Sequence, residues 1–210
     1  MLKELYIIRH GETELNRLGI VQGRGVNSDL NDTGIAQAAA FFNKYNNVKF
    51  DKIYTSSLVR THQTVKGFID LGLPWEQLEE LDELAWGEWE GKPNTDEAKA
   101  AFREVVKQWK LGNYDAKFTG GESPNEVGAR LAKAIEHILQ QPNEKLVLIC
   151  MHGRAMRLIL CLLLGKPFSD MEQFPHANTT LYRLQYNEGN APGLGQFKLI
   201  EANNTSHLAI

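Results

Sequence analysis

Two apolar runs without polar alternation, LYII at 5–8 and LVLICM at 146–151, constrain this chain more than any other feature. A strand wetted on one face alternates apolar and polar residues, whereas a strand covered on both faces does not. The runs therefore predict strands buried inside a mainly parallel sheet. DKIYT at 51–55 reads as a shorter third strand, and TTLYRLQY (179–186) and GQFKLIEA (195–202) as two late strands joined through the turn-rich NEGNAPGLG. Between the strands lie stretches of helical period. One covers 33–42 and opens on a hydroxyl cap candidate, Thr33; another covers 58–71, with Val59, Val65, Phe68 and Ile69; a third, 96–110, is amphipathic and charged. The stretch 123–140 opens Ser-Pro-Asn-Glu, a capping box with proline at the first helical position, and 154–164 follows the second apolar run directly. Strand alternating with helix predicts an α/β fold: a three-layer sandwich with a mainly parallel central sheet flanked by helices, and ligands gathered at the carboxyl ends of the strands. Residues from about 75 to 119 break the rhythm with an acidic segment, Trp86, Trp89, Pro93 and one isolated helix. They are expected to form a cap or lid inserted in a single domain spanning 1–210.

Charge and cysteine usage narrow the partners. With 23 basic against 26 acidic side chains and a net charge of −3, the chain has no run of one sign that could track a polyanion or a membrane face. The expected partner is a small molecule, neither nucleic acid nor bilayer. An anionic ligand would have to be held by a few focused cations, because the global field opposes it. Cys150 and Cys161 lie in strongly apolar stretches, where reduced cysteine serves as a small core residue, so no disulfide framework is expected. The apolar run 158–164 is far too short to span a bilayer. These features read as a cytoplasmic protein, monomer or homodimer.

Both buried runs end in the same way. The first delivers Arg9, His10, Gly11 and Glu12 to the rim where the sheet should bind ligands, and the second delivers His152, Gly153 and Arg154. Glycine after each histidine allows backbone N–H groups to approach an anion, and a following helix N-terminus adds a favourable dipole. The third strand leads to Ser56, Ser57, Arg60 and Thr61, which brings a second guanidinium to that rim. Arg9 and Arg60 could then grip the non-bridging oxygens of a phosphoryl group. The chemistry implied is phosphoryl transfer to an imidazole.

RHGE at the first strand end, a later Ser-Ser-x-x-x-Arg-Thr, an acidic L-x-E-x-x-x-G-x-W-E-G segment, Gly-Gly-Glu-Ser at 120–123 and a late strand ending in His-Gly together resemble the histidine phosphatase superfamily, the phosphoglycerate-mutase-like group. Carried over by that resemblance, His10 is the nucleophile that becomes phosphohistidine, and Arg9, Arg60, His152 and Gly153 form the phosphate pocket. Asn16, Gln22 and Gly23 add hydrogen bonds from the first loop. Glu83 is the general acid; residue types alone leave the choice open among Glu79, Glu80, Asp82, Glu83, Glu88 and Glu90. Such a site implies no metal and no cofactor, since arginines and His152 neutralise the charge. The expected activity is hydrolysis of a small phosphorylated metabolite. Alternatives are a phosphoglycerate-type mutase and a pseudo-enzyme that only binds phosphorylated ligands. Mutases of this group carry an adjacent arginine pair in the cap, whereas this cap offers Arg103, Lys107 and Lys110 without one. The segment QGRGVNSDLNDTG departs from the group's pattern in lacking a proline and in being a residue longer, which leaves Arg24 and Asn27 unassigned and bears on substrate choice.

Other residues carry plainer expectations. His62, His137, His176 and His207 show no metal-site spacing. Trp86 and Trp89 either stack on substrate or pack the cap on the core. Arg154 and Arg157 are expected to be exposed on the helix that follows His152.

Overall fold

A computed structural model describes residues 2–93, 95–187 and 194–209. Six strands, β1 (Leu2–Arg9), β2 (Lys52–Thr55), β3 (Trp75–Gln77), β4 (Leu146–Met151), β5 (Leu181–Asn187) and β6 (Phe197–Asn204), form one sheet of order β3-β2-β4-β1-β5-β6. The first four positions of that order run parallel, while β5 is antiparallel to both β1 and β6. Among the described residues seven α-helices accompany it: α1 (Glu14–Arg17), α2 (Asp32–Tyr45), α3 (Val59–Thr64), α4 (Lys66–Asp70), α5 (Asp96–Lys110), α6 (Pro124–Leu139) and α7 (Gly153–Leu164).

The missing polar alternation has the expected cause. Leu5, Ile7, Val147 and Ile149 enter one apolar cluster with Val127, Leu131 and Ile135 of α6 and the buried face of α7. Their neighbours Tyr6, Ile8, Leu148 and Cys150 enter a second cluster with Phe41 of α2 and Phe68 of α4. Two opposed cores give the three layers. Truncating any one of these fully buried aliphatic side chains to alanine costs about 2–5 kcal/mol. Cys150 and Cys161 are both buried and free, as their apolar context predicts.

Parallel pairing aligns the strand ends. Arg9 pairs with Met151, and Thr55 with Cys150, so His10, His152 and Ser56 leave the sheet at one rim. Because β5 runs the other way, it brings its amino end to that rim. Leu181 pairs with Ile8, and the residues just before it, His176 to Thr180, lie beside the ends of β1 and β4.

Several boundaries differ from the sequence reading. The segment expected to start the cap begins instead with β3, an edge strand of the sheet, and Leu81 is fully buried in the main core. Three strand residues and one buried leucine are too short a signal for periodicity to separate from loop. The expected helix over 58–71 breaks into α3 and α4 at Val65. Thr64 explains the break: its hydroxyl bonds back to the Arg60 carbonyl at 2.7 Å, which bends helices. Helix α2 is capped by Asn31, which accepts from the Gly34 N–H, and not by Thr33. The capping box on α6 is present as read, with Ser123 and Glu126 reciprocally bonded. The turn expected at 187–195 falls mostly outside the described residues. Among those that are described, no helix is long and apolar enough to cross a membrane.

Above the rim, α5 lays Phe102, Val105, Val106 and Trp109 against the core, around a buried Trp86. Trp86 lies tilted at 5.5 Å from Phe102 and 6.0 Å from Phe118 within the cap, and the Arg154 guanidinium of α7 lies 5.8 Å from its ring, so the same side chain ties the cap to the body. The segment before α6 closes against it: Glu122 N–H donates to the Ala85 carbonyl and Glu88 N–H to that of Thr119. Gly87 sits here at φ +59, and a Cβ on it would lie 2.1 Å from the Thr119 oxygen, so only glycine permits this approach.

Candidate active site

A cavity of ≈ 250 Å³ opens at the rim, bordered by Arg9, His10, Asn16, Gln22, Glu83 and Gly153 among others. The ends of two parallel strands, β1 and β4, therefore meet here with the first loop, the loop carrying Glu83 and the N-terminus of α7.

His10 is buried, and its Nδ1 lies 2.7 Å from the Gly11 carbonyl. A carbonyl only accepts, so Nδ1 carries the proton and Nε2 holds the free lone pair. Burial first, then the nearby Arg9 and Arg60 charges, hold the His10 imidazole well below its ordinary pKa and keep it neutral. The ring of His152 lies 5.2 Å away, centroid to centroid, near enough for both to touch one tetrahedral ion. His152 is likewise held neutral by burial and by Arg60.

His152 is fixed by a continuous chain of hydrogen bonds. Arg60 Nε donates to its Nδ1 at 3.2 Å, so Nε2 carries the proton and donates to Ser56 Oγ at 2.7 Å. Ser56 lies 3.1 Å from Thr61 Oγ1, which donates on to the Leu58 carbonyl at 2.8 Å. The Ser-Ser-x-x-x-Arg-Thr segment thus positions a histidine from a distant strand. Arg60, fully buried, also donates to the carbonyls of Val26 (2.7 Å) and Gly23 (3.4 Å). It stands behind the cavity, tied to His152 and the first loop.

Arg9 occupies the opposite side. Its guanidinium donates to the His176 carbonyl at 2.6 Å, while Nε is buried with no hydrogen-bond partner. Burial lowers the Arg9 and Arg60 guanidinium pKa values to about 10, which leaves both cationic at neutral pH. A buried cationic N–H without an acceptor is costly, and an oxyanion satisfies it.

Glu83 is buried at the N-terminus of α7. Its Oε1 accepts from the N–H groups of Leu84 (2.8 Å) and Ala155 (2.8 Å), and Oε2 from Arg154 N–H at 3.0 Å. Oε2 thus accepts one bond where Oε1 accepts two. The loop is clamped by Arg130, which donates to the carbonyls of Asp82 and Glu83 and forms a two-pronged pair with Glu122. Asp82 itself accepts from Ser57 N–H and Oγ. Thus Asp82 is turned to Ser57 while Glu83 lines the cavity, and among the described residues none of Glu79, Glu80, Asp82, Glu88 and Glu90 borders it.

The first-loop residues divide. Asn16 lines the cavity and accepts from Thr13 N–H and Asn178 Nδ2; Gln22 lines it as well, held between Thr13 and Ser28. Gly23 serves differently. A Cβ there would lie 1.9 Å from a Glu90 oxygen, so it lets the loop pack on the cap, and its carbonyl receives Arg60. Gly11 donates its N–H to Thr64 Oγ1, so that group is spent inside the fold, whereas Gly153 borders the cavity. Asn27 caps α3 through the Val59 N–H, and Arg24 pairs with Asp82 and Glu122, giving the unusual loop a structural anchor.

Three residues enter the site: His176, which sequence reading set aside, Asn178, which it did not single out, and Arg154, also set aside. His176 borders the cavity with Nδ1 3.4 Å from Arg9, and burial holds its pKa down to about 3. Asn178 donates to the His10 carbonyl. Arg154, expected to be exposed, is buried between the rings of Trp86, Phe102 and Trp109 at 5.6–5.8 Å and pairs with Glu172, which also binds the half-buried Arg157. The signal for the first two was the antiparallel direction of β5, which a pattern of residues does not reveal.

An α/β sandwich with paired histidines, two arginines and a carboxylate at one sheet rim has the groups to hold an oxyanion. The chain matches the model of the histidine phosphatase superfamily (branch 1) over residues 5–195 and belongs to that family. It is 33% identical over 207 residues, covering 98% of this chain and 94% of the relative, to a Yersinia pestis protein named "Probable phosphoglycerate mutase GpmB". The fold is similar to that of an α-ribazole phosphatase from Shigella flexneri, with TM-score 0.81, 25% identity and 96% of each chain covered. It is also similar to a phosphoserine phosphatase from Entamoeba histolytica in complex with 3-phosphoglyceric acid, with TM-score 0.80, 27% identity and 98% and 99% coverage.

Proposed function

We propose that the chain is a metal-independent phosphomonoesterase that hydrolyses a small phosphorylated metabolite through a phosphohistidine at His10. The observation that carries this is the His10 ring: neutral, buried, its Nδ1–H spent on Gly11, and its Nε2 lone pair left as nucleophile beside Arg9, His152 and Glu83. Nε2 attacks phosphorus while the ester P–O bond breaks and Glu83 Oε2 gives its proton to the departing oxygen. Arg9 Nε and the α7 N-terminus at Gly153 hold the non-bridging oxygens, while Arg60, fixed behind the cavity by its bonds to His152 and the first loop, adds its positive charge from there. Glu83 then takes a proton from water, water oxygen bonds to phosphorus, the P–N bond breaks, and inorganic phosphate leaves. Asn16 and Gln22 line the approach.

A mutase reading has one observation in its favour, the name of the Yersinia relative. The cap lacks an adjacent arginine pair to hold a doubly anionic intermediate, which favours water as the acceptor. Hydrolysis of an aryl phosphate with chelator present tests the proposal: wild type releases phosphate and His10→Ala does not. Retained activity in His10→Ala, or complete dependence on added metal, overturns it. Isomerisation of a phosphoglycerate primed by a bisphosphorylated compound, faster than hydrolysis, would establish the mutase.

A further inference from the structure

A second chamber of ≈ 300 Å³ adjoins the phosphoryl cavity, and Val21, Trp86 and Phe102 border both. Its wall is lopsided in chemistry. Trp86, Trp89, Phe102 and Phe118 supply aromatic surface, three cations stand among them, and no acidic side chain borders it among the described residues. That is unexpected in a chain of net charge −3.

The cause lies in α5. Thr95 caps this helix through the Ala98 N–H, and from there Ala98 and Phe102 form one i,i+4 row while Lys99 and Arg103 form the next. The apolar row and the cationic row both face the chamber. Lys92 completes it from the preceding loop, its Nζ 6.0 Å from the Trp89 ring. The pair of Lys99 with Asp96 is solvent-exposed, so it is weak competition for a bound anion.

In-line attack by His10 places the leaving oxygen on the far side of phosphorus, next to Glu83. The body of the leaving group then passes Trp86 and Phe102, the residues shared by the two spaces. Resting on the hydrolase reading above, we infer that this chamber takes the leaving group. The substrate class is a phosphomonoester whose alcohol has a flat or apolar body ending in a second anionic group.

A matched pair of esters tests this: 4-ethylphenyl phosphate and 4-(carboxymethyl)phenyl phosphate, similar in size and leaving-group acidity but not in charge. The carboxylated ester should have a KM about fivefold lower at low ionic strength, an advantage that salt reduces. The double variant Lys99→Glu/Arg103→Glu should cancel or reverse the ratio. Equal KM values in wild type, or a ratio untouched by charge reversal, overturn the inference. The two non-hydrolysable phosphonates, bound to wild type and followed by calorimetry, report the same ratio without turnover. Hydrolysis without discrimination therefore refutes only the leaving-group assignment, and discrimination in binding without hydrolysis refutes only the phosphatase reading.

Discussion

Replacing Glu83 by glutamine separates its chemistry from its place in the fold. The amide oxygen can keep the two bonds that Oε1 accepts from Leu84 and Ala155, but the amide nitrogen must take the place of Oε2, facing the Arg154 N–H at 3.0 Å. Two donors then oppose each other in a buried site, at a cost of about 1–3 kcal/mol in stability. Loss of the acid should cost far more in rate, and only for poor leaving groups. General acid catalysis contributes about 10²–10⁴-fold, or about 3–5 kcal/mol of barrier, for an alkyl phosphate whose oxygen must leave protonated. A nitrophenolate leaves without a proton, so for nitrophenyl phosphate the loss should stay below about tenfold. The comparison uses kcat/KM, which reports events through P–O cleavage and excludes the later water step. Equal losses for alkyl and nitrophenyl esters would refute the assignment of Glu83 as proton donor and leave it a structural cap on α7.

Two further outcomes follow from packing and burial. Gly34→Ala places a Cβ 2.0 Å from the Glu12 carbonyl oxygen, so thermal unfolding should show a loss of about 1–3 kcal/mol, together with reduced kcat as the loop carrying His10 shifts, although residue 34 never touches substrate. Urea denaturation should show stability falling as pH drops below about 6.5, the unfolded histidine value, because buried His10 and His152 are held well below it and His176 and His207 are held at about 3 and about 4. The unfolded chain binds those protons first, so the loss runs from about pH 6.5 towards about pH 4 at more than the single-proton slope of about 1.4 kcal/mol per pH unit; an unchanged midpoint between pH 7 and pH 5 would contradict the neutral histidines.

The layers of the fold were legible because each rests on a dense local pattern. LYII and LVLICM announce strands covered on both faces, and the Ser123 capping box announces α6 to the residue. The gathering of residues at the rim was legible for the same reason: His10, His152 and Arg60 each follow a strand in sequence, and parallel pairing brings them together. What stayed hidden depends on direction and distance. His176 and Asn178 reach the site because β5 is antiparallel, Arg154 is drawn inward by three rings contributed from the cap, and Arg130 fixes Glu83 through carbonyls 47 or 48 residues away. The glycine after His10 shows how a correct residue can carry an incorrect reason. Its N–H serves Thr64, and its missing side chain makes room for Gly34.

The stereochemical course at phosphorus tests the covalent step most directly. With an isotopically chiral phosphate ester, attack first by His10 Nε2 and then by water inverts the centre twice, so released phosphate should show net retention. Net inversion would mean that water attacks the ester itself and that no phosphohistidine lies on the path.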